Sequence, residues 1–277
     1  MILVADSGST KTHWIWGSGD SVGEVVTQGL NPRLADEATL SATFAEVRGR
    51  IAKKVEAIYF YGAGCGTVKM QHYVSMILAV AFPDTEIVVE GDLLGACRAM
   101  CGHNSGLVGI LGTGSNLCHY DGYKIDRQRV STGFILGDEG SGNHVGRRLL
   151  KDYLEERMPE HVSVMFHDEY KYSNDEFIDR LYRQPYPNRF LASLAPFALR
   201  HRQEEYVAQV LDESFGAFFR QLDYFPRGGQ LHLVGGMVSA FEPELRQAAE
   251  HYGIALATLL ADPAKALLQF HTAPNVV

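Results

Sequence analysis

The stretch Gly112-Thr113-Gly114-Ser115-Asn116, followed by Gly133-Phe134-Ile135-Leu136-Gly137-Asp138-Glu139-Gly140-Ser141-Gly142, decides how this chain is read. Two glycine-lined turns and two acids follow directly on the apolar run Leu107 to Leu111. Glycine lets a backbone come close to a ligand and take up positive φ. Clustered turn N–H groups cradle phosphate, and an acid beside them can hold a metal or accept a proton. The chain opens on a second candidate cradle, Asp6-Ser7-Gly8-Ser9-Thr10-Lys11-Thr12. Two cradles and several acids point to nucleotide-dependent phosphoryl transfer.

The early segment is not a P-loop. Thr10 rather than glycine precedes Lys11, and the apolar runs Ile2 to Ala5 and Thr12 to Trp16 predict a β-hairpin instead of a helix N-terminus. Its turn either offers N–H groups, hydroxyls and Lys11 to phosphate, with Asp6 near a metal, or is an ordinary polar turn. A third strand is expected over 22–28, after a turn at 17–20. Helical spacing of Leu40, Phe44, Val47 and Ile51 predicts a helix over 36–54. Strands then alternate with helices: strands 55–61 and 86–89, helices 71–81 and 93–100. The pattern restarts at Gly106 with strands 107–111 and 116–120 and a hairpin turn at Asp121-Gly122. A helix over 147–156 and a largely helical 175–225 follow. A strand over 230–234, a helix from 243, a short strand over 254–257 and a closing helix over 263–270 complete the chain. This is an α/β chain in two halves, each opening with a strand, a glycine turn and a strand.

The chain has 277 residues and a formal net charge of −8, which argues against a nucleic-acid or anionic-membrane partner. No uncharged apolar run is long enough for a transmembrane helix, and residues 1–6 do not read as a signal peptide, so a cytoplasmic protein is expected. Cys65, Cys97, Cys101 and Cys118 form no Cys-x-x-Cys pair and read as reduced, buried thiols. No Gly-x-Ser-x-Gly elbow or His-Glu-x-x-His is present, so a serine hydrolase and a zincin are unsupported. Gly62-Ala63-Gly64 lacks the third glycine of a dinucleotide fingerprint and reads as a tight turn lining a cleft. Three further positions stay open on the residues alone. Asp92, after the strand Ile87 to Val89, is either a general base or a helix N-cap. Asp138 and Glu139 either bind a ligand or Mg²⁺, or cap the helix beginning near His144. Gly235-Gly236 backs either a nucleotide or a helix.

Taken in order, Asp6-x-Gly8-x-Thr10, Gly29-Leu30-Asn31-Pro32, Gly62-Ala63-Gly64, Asp92, GTGSN, GDEGSG and Val234-Gly235-Gly236 resemble the BadF/BadG/BcrA/BcrD ATPases. Within them the closest pattern is the N-acetylglucosamine kinase branch of the actin, sugar kinase and heat-shock chaperone superfamily. The resemblance implies two ribonuclease-H-like lobes with the active site in the interlobe cleft. Residues 1–104 would form the first lobe, joined by a closing helix over 262–277, and residues 105–261 the second. It implies ATP and Mg²⁺, a small amino sugar as acceptor, and a possible homodimer. Gly8, Ser9, Thr10 and Lys11 would meet the β- and γ-phosphates, and Asp6 would hold Mg²⁺ through water. Thr113 and Gly114 would form the second phosphate loop, and Gly235 and Gly236 would face adenosine. Asn31, Gly64, Ser115, Asn116, Ser131, Thr132, Gly133 and Asp138 would surround the sugar, with Asp92 as base for its 6-hydroxyl. Thr132 stands where some relatives carry tryptophan, and Lys265-Ala266 where many carry Gly-Ala. A dehydratase-activator ATPase with a cysteine-ligated iron–sulfur cluster, and a non-catalytic sugar-binding regulator, are the rival readings.

Overall fold

The fold is described from a computed structural model, which describes residues 1–18, 21–225 and 229–273. The expected turn over 17–20 and the end of the closing helix lie partly outside these residues. The first half runs β1 (Ile2–Ser7), β2 (Lys11–Ser18), β3 (Ser21–Gln28), α1 (Glu37–Arg50), β4 (Ala57–Gly62), α2 (Val68–Ala81), β5 (Glu86–Gly91) and α3 (Asp92–Cys101). The second half begins with β6 (Gly106–Leu111), β7 (Ser115–Tyr120), β8 (Ile125–Gln128), a short α4 (Gly133–Leu136) and α5 (Gly142–Leu154). Helices α6 (Glu160–Tyr170), α7 (Asn174–Tyr182), α8 (Pro187–Ala192), α9 (Ala195–Arg200) and α10 (Glu205–Phe219) follow, with a 3₁₀ turn over Arg220–Tyr224. Then come β9 (Leu231–Val234), α11 (Gly236–Ala240), α12 (Glu242–His251), β10 (Leu256–Leu260) and α13 (Ala264–Thr272).

Two five-stranded sheets result, ordered β3-β2-β1-β4-β5 and β10-β9-β6-β7-β8. Read from the opposite edge, the second repeats the first, so the matching openings of the two halves extend to whole sheets. In the first sheet β1 runs antiparallel to β2 and parallel to β4, which is parallel to β5. This is the actin-like ATPase fold of two ribonuclease-H-like lobes. The chain divides into two compact units. One comprises Met1–Val108, Tyr120–Asp126 and the chain from Asp262 on; the other comprises Gly109–His119 and Arg127–Ala261. No described helix is long and apolar enough to cross a membrane.

Strand periodicity sorts the first sheet's side chains to its two faces. Leu3, Ala5, Trp14 and Phe60 face α1 and α2, where Trp14 and Phe44 meet edge-to-face at 5.9 Å. Val4, Ile15 and Tyr61 face the other way, against Ala264, Leu267 and Leu268 of α13. Both faces are therefore covered, which is why these strands carry apolar residues on each side.

The strand β8 and the short helices α4 and α11 lie where no element is expected, and two longer helices also differ from expectation. Helix α5 starts at Gly142, five residues before the expected 147, because the Ser141 hydroxyl accepts from the His144 N–H and sets the N-cap. Asp138 and Glu139 do not cap it, contrary to the capping alternative. Helix α6 lies over a stretch with no expected element, its Val162 and Phe166 buried in an aromatic cluster with Phe177 and Phe197.

Candidate active site

The parity that places Val4 under α13 carries on to the end of β1. Asp6 lies on the same face as Val4 and pairs with His13, while Lys11 and His13 share the face of Ile15. The carboxyl ends of the parallel strands thus gather chemistry on one edge of the first sheet: Asp6 is the last residue but one of β1, Gly64 follows β4, and Asp92 follows β5. Such edges are where α/β sheets bind ligands.

Asp92 is the first residue of α3, and Gly91 occupies the cap position. Its Oδ1 accepts from the Leu93 N–H at 2.9 Å. Burial lifts its pKa to about 6, against the lowering effect of that bond. Asp6 is lifted further, to about 7, by burial first and then by the negative charges of Asp262 and Asp92. In the β1–β2 turn, Gly8 N–H donates to Lys11 O at 2.9 Å and Gly29 N–H to Thr10 O at 2.9 Å. Behind the turn, the buried Ser7 and Thr12 hydroxyls lie 2.8 Å apart, and Ser7 Oγ accepts from Leu30 N–H. Asn31 folds into a turn, its Oδ1 accepting from Arg33 N–H at 3.0 Å. That amide lies against Gly64, where a Cβ would stand 2.2 Å from Asn31 Oδ1 and φ is +85°. Only glycine fits there, so the two expected sugar contacts of the first unit are neighbours.

Asp262 completes this edge, and the sequence reading passes over it. It precedes α13, accepts from Ala264 N–H at 3.0 Å, sits 3.0 Å from His13 Nδ1, and forms an ion pair with Lys11 at 3.4 Å. Burial alone would raise its pKa, but the His13 hydrogen bond and the nearby cations hold it at about 2. His13 is raised in turn, chiefly by Asp262, and its Nε2 faces Glu24 at 3.3 Å. A protonated imidazole donates to both carboxylates. No local motif marks Asp262, because its partners lie some 250 positions away.

In the second unit, the GTGSN turn joins β6 to β7 and is bound to the start of α5. Gly142 N–H donates to Gly112 O, and Asn143 donates to Thr113 O from both its backbone (3.0 Å) and its side chain (2.6 Å). Asp138 has φ of +57°, a left-handed conformation that is costly for a residue with a Cβ. The cost is offset by bonds: Oδ1 accepts from Ser115 N–H at 3.3 Å and Oδ2 from Asn143 Nδ2 at 2.9 Å. Burial raises its pKa and the Asn143 bond opposes the rise. The two glycine turns are thus one structure, with Asp138 as the brace. Asn116 Oδ1 accepts from Leu117 N–H and from Gln128 Nε2. A solvent-open cleft is lined by Ser115, Asn116, Ser131, Thr132 and Asp138, together with Arg129, Glu139 and Gln221. Glu139 accepts from Gln221 Nε2 at 3.2 Å. Gly133 follows the lining residues as the first residue of α4.

Gly235 and Gly236, at the end of β9, differ from each other. A Cβ on Gly235 would stand 2.3 Å from Leu111 O, so its close approach is to the adjoining backbone. A Cβ on Gly236 would meet nothing within 4 Å.

No protein-family model matches the chain, and no curated protein matches it. Among solved structures, a candidate N-acetylglucosamine kinase from Porphyromonas gingivalis superposes with a TM-score of 0.92 at 37% identity, with 98% of each chain covered. The chain belongs to the sugar kinases of the actin-like ATPase fold. A candidate N-acetylglucosamine kinase from Chromobacterium violaceum shares the fold at 20% identity and a TM-score of 0.70, over 97% of this chain and 98% of that one. A glucokinase from Streptomyces griseus, in complex with glucose and AMPPNP, shares it at 17% identity and a TM-score of 0.61, over 97% of each chain.

Proposed function

We propose that the chain transfers the γ-phosphoryl group of ATP to the 6-hydroxyl of an amino sugar, N-acetylglucosamine foremost, as a member of the BadF/BadG/BcrA/BcrD group. One observation carries the reading. Asp92 stands at the carboxyl end of a parallel strand with its pKa lifted to about 6, which suits a base that works near neutral pH. Asp92 takes the proton of the 6-hydroxyl as its oxygen attacks the γ-phosphorus. The bond from γ-phosphorus to the bridging oxygen breaks, and ADP leaves. Gly8, Ser9, Thr10 and Lys11 face the phosphates with Thr113 and Gly114, and Gly235 and Gly236 face adenosine, where the open side of Gly236 leaves room. Asn31, Gly64, Ser115, Asn116, Ser131, Thr132, Gly133 and Asp138 contact the sugar. Catalysis of this kind rests on positioning and on charge neutralisation.

Asp6 suits a cation: burial first, and then the charges of Asp262 and Asp92, raise its pKa, and a divalent ion would relieve that repulsion. Asp6 would hold Mg²⁺ through water. Bound there, Mg²⁺ would neutralise phosphate charge. The iron–sulfur alternative is disfavoured because all four cysteines are buried.

The test is ADP release by purified protein across a panel of N-acetylglucosamine, glucosamine and N-acetylmuramic acid. ADP should appear only with an amino sugar. Asp92→Asn should still bind sugar while kcat falls by roughly 10²–10⁴. Wild-type kcat in that variant would remove Asp92 from the base role.

A further inference from the structure

The wall of the second-unit cleft runs through Ser131 and Thr132 into α4, a helix of four residues. So short a helix has no stability of its own. Nor does burial hold it: Ile135 is 69% exposed and Leu136 78% exposed. Within the backbone, Gly137 N–H returns to Gly133 O at 2.8 Å and closes the turn. The other tie comes from α5. Arg147 Nη1 donates to Phe134 O at 2.5 Å and to Ile135 O at 2.8 Å. One guanidinium nitrogen thus satisfies two carbonyls that a four-residue helix leaves unpaired. Asp138, held by the Ser115 N–H and by Asn143, follows directly on the turn and lines the same cleft. Arg147 thus ties down the segment that joins Thr132 to Asp138.

We infer that Arg147 is a positioning residue for the sugar site: it fixes the turn Gly133 to Gly137, and through it the Ser131–Thr132 wall opposite Asp138. The inference rests on the reading of that cleft as the sugar site. Lysine cannot reproduce the effect fully, because a point ammonium lacks the fixed fork of a guanidinium.

The experiment compares wild type, Arg147→Met and Arg147→Lys by limited chymotrypsin digestion and by steady-state kinetics. Of the two carbonyls that Arg147 holds, that of Phe134 belongs to the Phe134–Ile135 bond itself and that of Ile135 to the next, and the first bond is a site of chymotryptic cleavage once the turn is loose. Cleavage after Phe134 or Leu136 should speed up about tenfold in Arg147→Met, since exposed loop tips are cut when their backbone is freed. The KM for sugar should rise about fivefold or more while the KM for ATP stays within about twofold, the pattern of lost ground-state binding on one substrate. Arg147→Lys should fall between. Arg147→Met with unchanged cleavage, or with equal changes in both KM values, overturns the inference. Should Arg147→Met not fold, Arg147→Lys decides: wild-type cleavage and wild-type sugar KM in that variant overturn it. If wild type phosphorylates no sugar but Arg147→Met is still cut faster, the kinase reading fails while the tether stands.

Discussion

Asp6, near the end of β1, and Asp92, just after β5, lie at the carboxyl ends of parallel strands of one sheet, and burial lifts the pKa of both toward neutrality. A base must be ionised to accept a proton, so kcat/KM should fall as pH drops below about 6. Asp92→Asn should lose that acid limb along with its rate; a limb that persists would assign it to another group. Asp262 acts on the same edge through charge. The protonated His13 it stabilises contributes stability that is complete below the ordinary imidazole value of 6.5 and is lost as pH rises through the raised folded value. Asp262, held at about 2, stays ionised throughout that range. Asp262→Asn should therefore lower the His13 pKa, read by NMR titration. Its stability deficit against wild type should be larger at pH 6 than at pH 9. The Lys11 ion pair adds little, under about 1 kcal/mol, because Lys11 is largely exposed. Acids after strands were legible as candidates in the sequence. Asp262 was not, since its identity as a partner of His13 and Lys11 arises only when the chain returns.

At the scale of elements, the two glycine turns depend on the start of α5. Ser141 is buried, and its hydroxyl accepts from the His144 N–H at 3.3 Å. Removing it leaves a buried donor unpaired at the helix end that carries Asn143. Ser141→Ala should cost about 1–2 kcal/mol, seen as a lower midpoint in thermal or denaturant unfolding. A change below about 0.3 kcal/mol would mean that another group caps the helix. The first turn of α5 is poor in helix formers, with glycine at 142 and 146, and lies before the helix expected over 147–156; Gly142, Asn143 and Gly146 are nevertheless buried in the helix. Packing overrode propensity there. Strand periodicity was the stronger signal, and the expected strands lie within a few residues of β1 to β7, β9 and β10.

Across the whole molecule, the chain leaves its first unit and comes back to it, and α13 is the returning piece. Leu267 is fully buried against the sheet face shared by Val4 and Ile15. Leu267→Ala should destabilise by about 2–5 kcal/mol. It should also raise the ATP KM, because the same segment carries Asp262 beside Lys11. Loss of stability with no effect on nucleotide would separate the helix's packing from the site.

The sequence by itself determined the alternation of strands and helices, the doubled opening and the glycine turns, because each is written in residues close along the chain. Steric permission, apolar periodicity and turn chemistry act over a few positions. Only the tertiary structure decided that Asp138 braces the GTGSN turn instead of capping α5, that Gly235 yields to the backbone of Leu111 while Gly236 stays open, that Asp262 pairs with His13 and Lys11, and that Arg147 holds the turn after Thr132. These are long-range contacts, set by how sheets and helices stack, and no local pattern encodes which distant side chain will arrive.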